Sequence, residues 1–85
     1  MAQAYVTVAG YIACITKADK EKSTRYMVDK DMDAVRSLMT AGRCTILKGG
    51  DGVYREDFTW GGLVEIRPKG TTSTLWTNVE AIKKK

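Results

Sequence analysis

The sequence predicts an α+β fold that is mainly antiparallel β: a curved sheet or small partly open barrel of about five or six strands, with one helix at about residues 30–42 after the second strand. Three observations predict it. Apolar residues alternate with a period of two over most of the chain, as half-buried strands require. One stretch alone switches to spacings of three and four. Beyond that stretch, glycine clusters recur at intervals short enough for turns between antiparallel neighbours. The chain has 85 residues, 44% of them hydrophobic. A domain of this size buries only about 60–65% of its unfolded surface, so one core and one domain over residues 1–85 are expected.

The first expected strand runs from Tyr5 to Thr16. Val6, Val8, Ile12 and Cys14 fall on one face and Tyr5, Thr7, Ala9, Tyr11 and Ala13 on the other. Gly10 stands where a long strand bulges or coils. Lys17 to Ser23 is polar with mixed charge and suits an exposed hairpin tip, and Thr24 to Val28 returns as a second strand. From Asp29 to Gly42 the period becomes helical, with Met32, Val35, Leu38 and Met39 three and four apart. Asp29, Asp31 and Asp33 crowd its start, where carboxylates cap free amides and meet the positive end of the dipole. Gly42 accepts the left-handed cap at the other end, and Arg43 suits the negative terminus. Arg43 to Lys48 is the next strand, Gly49-Gly50-Asp51-Gly52 a positive-φ hairpin turn, and Val53 to Trp60 a strand. Gly61-Gly62 is a break or bulge. Leu63 to Pro68 and Thr74 to Ile82 form a last hairpin around Lys69 to Ser73.

The chemistry the chain lacks is informative. It contains no histidine, which removes the commonest general base near neutral pH and the commonest metal ligand. Cys14 and Cys44 cannot close a four-ligand zinc site between them, and both lie in apolar runs where a thiol behaves as a small hydrophobe. They are expected to be reduced core residues, with a disulfide between two strands as the alternative. Asp29, Asp31 and Asp33 copy the first half of a calcium loop, but Ala34 stands where that loop needs glycine and Thr40 where it needs glutamate. The glycine turn at 49–52 leads into a strand, whereas phosphate-cradling loops usually lead into a helix. No catalytic, cofactor or metal residue is expected, and the protein is expected not to be an enzyme. With no basic leader ahead of the apolar N-terminal stretch and no run of about 20 apolar residues, neither a membrane span nor secretion is expected. A cytoplasmic location is the expectation.

Two kinds of binding remain. The formal charge is +4, yet without Lys83, Lys84 and Lys85 the chain carries 11 basic and 10 acidic residues, so the body is nearly neutral and the lysines form a short basic tail. The first strand is apolar on both sides, and a face bearing Tyr5, Ala9, Tyr11, Ala13 and Ile15 is too apolar to leave in water. That face is the expected interface with a protein partner or a second copy, making the chain a small interaction module that self-assembles or docks on and inhibits a larger protein. The alternative is single-stranded DNA or RNA, gripped by Arg25, Arg55, Trp60, Arg67, Lys69, Trp76, Lys83, Lys84 and Lys85, since stacking rings combined with cations hold unpaired strands. No small-molecule substrate is expected.

Overall fold

Gly10, expected to bend the first strand, divides it. In the computed structural model of the chain, which describes residues 3–85, β1 (Gln3–Thr7) and β2 (Ile12–Cys14) are separate strands, and Gly10 between them has φ of +94°. Next come helices α1 (Lys17–Val28) and α2 (Met32–Thr40), then β3 (Cys44–Ile46), β4 (Gly52–Phe58), β5 (Leu63–Pro68) and β6 (Leu75–Asn78). A 3-10 turn, Val79–Ala81, leads into β7 (Ile82–Lys84). The fold is α+β with a mainly antiparallel open sheet, as expected, but it has seven strands and two helices in place of five or six and one.

The strand order is β3-β2-β6-β5-β4-β1-β7. β1 and β2 are four places apart in it, about 19 Å across a flat sheet at about 4.8 Å per strand. From Thr7 to Ile12 a fully extended chain reaches at most about 18 Å, and the kink at Gly10 shortens that. The sheet therefore has to curl. Both flanks hold the bend: the Val8 N–H donates to the Ala81 carbonyl at 2.7 Å, and the Gly10 N–H to the Leu47 carbonyl at 3.0 Å. Inside the curl lie Tyr5, Val53, Val64, Ile66 and Ile82, and a second cluster of Ala13, Leu47 and Ala81; Leu75 packs against both.

The glycine turn at 49–52 is not a hairpin, because β3 and β4 are not neighbours. It carries the chain across the fold instead. Gly49 and Gly50 adopt the expected positive φ, +90° and +79°, and the turn docks on the end of β1. Thr7 donates its N–H to the Asp51 carbonyl, accepts from the Gly50 N–H, and takes the Asp51 N–H on its hydroxyl at 3.0 Å. These bonds fix the register of β1, with Thr7 and Tyr5 buried and Val6 and Val8 only half-buried. The doublet Gly61-Gly62 is the true hairpin turn, between β4 and β5, and the bulge lies within β4 between Arg55 and Asp57. The lysine tail is likewise structured: Ile82, Lys83 and Lys84 pair with β1.

The largest departure is α1, which occupies the expected hairpin tip and second strand. Its sequence is polar, and its buried residues are Asp19, Lys20 and Ser23, so no apolar stripe announces it. Good helix formers and a cap make it helical: Thr16 accepts the Asp19 N–H on its hydroxyl at 3.1 Å. Each buried polar group has a partner. The Arg43 guanidinium reaches Asp19 through Nε at 2.8 Å and Nη2 at 2.6 Å, Ser23 donates to the Lys20 carbonyl at 2.7 Å, and Lys20 Nζ lies 3.4 Å from Thr24 Oγ1. Burial lowers the Lys20 pKa, opposed by Glu80. Burial pushes the Asp19 carboxyl up, but the Thr16 hydroxyl and Arg43 outweigh it and leave the pKa lowered. The expected helix is α2, with Asp31 accepting the Ala34 N–H at its start. At its end Gly42, with φ of +73°, and Arg43 donate back to the Met39 and Leu38 carbonyls, a Schellman closure.

The cysteines are joined rather than reduced. Cys14 and Cys44 face one another across β2 and β3, their Cα atoms 4.0 Å apart, and form a disulfide that closes a loop containing both helices. The sequence separation of 30 corresponds to about 3–4 kcal/mol of loop-closure entropy removed from the unfolded chain. Replacing both cysteines by alanine is expected to lower unfolding free energy by about that amount in a urea titration. Asp19 adds a pH dependence: its lowered pKa supplies stability above the unfolded carboxylate value of about 3.9, lost as pH falls through the folded value. Asp19→Asn is expected to flatten the acid limb of a stability-against-pH profile.

Candidate anion-binding face

Period-two alternation on four neighbouring strands builds a row of cations on the outer, convex face of the sheet. Lys83 pairs with Val6, Val6 with Gly52, and the Lys69 N–H donates to the Gly52 carbonyl at 3.0 Å. In the next row Ala4 pairs with Tyr54 and Tyr54 with Arg67, and Lys85 continues the alternation of β7 onto that side. Four cations thus flank a strip of small residues with one ring, Tyr54, at its centre. The Arg67 guanidinium lies 4.8 Å from the ring centroid and the Lys69 ammonium 5.8 Å, within cation–π range.

Gly52 makes this convergence sterically accessible. A Cβ there would stand 3.0 Å from Lys69 Cδ and 3.3 Å from Cε, so the lysine stem lies where a side chain would be. Arg67 is fixed by three contacts: the Glu56 carboxylate at 2.9 Å, the Thr71 carbonyl at 3.1 Å and the Tyr54 ring. Glu56 offsets only that one charge. Among the described residues, Lys69, Lys83 and Lys85 are in no ion pair. The Lys69 ammonium holds the Lys85 pKa below its usual value, burial adds to this, and Tyr54 opposes it. Like charges held together without matching acids suit a bound anion.

The expected nucleic-acid residues divide into groups. Arg67, Lys69, Lys83 and Lys85 share this face. Arg55 is on the opposite side of β4, 5.5 Å from both the Tyr5 and Phe58 rings. The bulge turns Phe58 to oppose buried Val64, so it leaves the face of Tyr54 that unbroken alternation would have given it. Trp60 is 97% exposed on the β4–β5 turn. Trp76 is half-buried within the sheet, opposite Glu65 and Cys14. Arg25 lies over Tyr26 on α1, and Lys84 alternates onto the side of Ile82. The protein-interface candidates do not form one surface: Tyr5 and Ala13 are core, Tyr11 is half-buried against it, and only Ala9 and Ile15 are exposed. The roles of Tyr54 and Gly52 were missed by sequence reasoning; their two-residue spacing on β4, matched by Arg67 and Lys69 across the hairpin, is the signal that finds them.

No family model, curated protein or solved structure matches the chain. Gly52→Ala is expected to displace Lys69 with little backbone strain, since Gly52 lies outside the left-handed region. The Lys85 ε-methylene signal should then titrate closer to the ordinary lysine value of about 10.4. Lys69→Met should do the same, and an unmoved Lys85 in both variants would assign its shift to another cause.

Proposed function

We propose that this protein is a non-enzymatic nucleic-acid-binding domain that grips the phosphate backbone with the outer face of β7, β1, β4 and β5. The observation that carries the reading is the convergence of Arg67, Lys69 and Lys85 on Tyr54, with Glu56, among the described residues, the one carboxylate in an ion pair with any of them. Two cation–π contacts hold flexible side chains ready, which lowers the ordering entropy lost on binding. Contacts of this kind position a strand without reading its sequence. The reading implies an intracellular location. There the disulfide is protected by burial, with Cys14 0% and Cys44 6% exposed, because thiol exchange needs access to the sulfur. No helix among the described residues is long and apolar enough to cross a membrane.

A second reading, association with a protein partner or another copy, draws on β3. It ends the strand order and carries Ile46, 57% exposed, so its free edge and apolar side chain suit strand addition. Sedimentation mass above 9.4 kDa, lost on Ile46→Lys, is its expected signature, and a monomer at high concentration would rule out self-association.

For the nucleic-acid reading, affinity for a single-stranded oligonucleotide is expected to fall with salt at a logarithmic slope of about −2 to −3, from about 0.7 for each of three to four neutralised phosphates. Lys69→Ala should reduce that slope by about 0.7. A flat salt titration would overturn the reading.

A further inference from the structure

We infer that Trp60, with Phe58 and Arg55 beneath it, is a stacking subsite for an unpaired nucleobase, which commits the domain to single-stranded over duplex nucleic acid; this rests on the backbone-binding reading above. A 97% exposed tryptophan contributes almost nothing to the core, yet its position is well defined. The turn beneath it is closed by hydrogen bonds between Thr59 and Leu63, 2.8 Å in one direction and 3.3 Å through the Thr59 hydroxyl, and by the Gly62 N–H on the Thr59 carbonyl. Gly61 and Gly62 follow it, so neither of the next two residues has a side chain to cover the indole, and the Thr59 hydroxyl before it is turned to the Leu63 N–H. Phe58 meets it edge-on, ring centroids 5.8 Å apart at 80°, which buttresses the indole without burying it.

Arg55 gives the platform its charge. Its guanidinium is held between Tyr5 and Phe58, 5.5 Å from each ring centroid, so a cation sits beside the stacking surface as the phosphate of a stacked nucleotide requires. The course of the strand follows from the charges between the two sites. Along β4, Tyr54 and Trp60 are about 20 Å apart, but Asp57 faces Glu65 on the outer side beyond Tyr54, and two carboxylates there repel a phosphate backbone. An occupant that reaches both sites therefore passes from the lysine cluster on the outer face to Arg55 and Trp60 on the other side of the sheet. A single strand makes such a turn readily; a duplex, with a persistence length of about 50 nm and its bases already stacked, does not.

The test compares fluorescein-labelled oligo(dT) of about 12 nucleotides with a blunt duplex of the same length at low salt, by anisotropy. Wild type is expected to prefer the single strand. Trp60→Ala should weaken single-strand binding about tenfold, within the range for one stacked base, and leave duplex binding unchanged; Trp60→Phe should restore most of the loss, while Lys69→Glu should weaken both. In a Trp76→Phe background, oligo(dT) should quench the remaining emission, that of Trp60. The exposure of Trp60 means its variants retain the fold, checked by circular dichroism. If wild type binds oligo(dT) but Trp60→Ala binds it equally well, the subsite is overturned and the phosphate reading stands. If wild type binds neither ligand, both fall together.

Discussion

The docking of Thr7 on the Gly50-Asp51 turn is the constraint from which the rest of the molecule follows. Three hydrogen bonds tie these residues, and they do so where β1 must leave the sheet and the chain must cross to β2. Because the reach from Thr7 to Ile12 is shorter than a flat sheet allows, fixing Thr7 fixes the curl. The curl then creates an inside large enough for Val53, Val64 and Ile66 to be almost wholly buried. Gly49 takes part through close approach: a Cβ there would stand 2.9 Å from the Ala9 backbone nitrogen, so the crossing and the bend can be in contact only with glycine at 49.

The same anchoring sets what the outer face presents. Once Thr7 points inward, Val6 and Ala4 must point outward, and the strands on either side deliver Lys83, Tyr54 and Arg67 beside them. A one-residue slip of β1 would exchange these faces. The binding face and the core are therefore opposite outcomes of a single register. The bulge at Arg55 works in the other direction, dividing β4 into a half whose ring is flanked by the Arg67 guanidinium and the Lys69 ammonium and a half whose aromatic residue turns to the other side.

What could be read from the sequence follows from which interactions are local. α2 was legible because Asp31 caps it, Gly42 closes it and Val35 faces the core within a few residues of one another. β5 was legible from the alternation of Val64 and Ile66. α1 was not, because its buried face holds Asp19, Lys20 and Ser23, and the Arg43 that neutralises Asp19 is 24 residues away. A hydrophobic pattern cannot mark a helix whose contacts are polar and whose partner is distant. The disulfide escaped for a related reason, since only the antiparallel register of β2 and β3 brings Cys14 opposite Cys44. Lys69 and Lys85 were recognised as cations, but their meeting over Tyr54 depends on a strand order that places the last strand beside the first.

The closeness of Cys14 and Cys44 gives the helical region a particular standing within the fold. β2 and β3 are antiparallel neighbours, and the segment 15–43 leaves one and returns to the other. Topologically both helices are the loop of a β-hairpin, enlarged and stapled at its base. Lengthening a loop costs only a logarithmic entropy, and a covalent clasp removes the need for its contents to hold the ends together. The segment still packs back on the sheet, burying Lys20, Ser23 and Val35, so the clasp and this packing hold it together. Its exposed outer side is the part of the segment where a change touches neither the clasp nor the buried contacts.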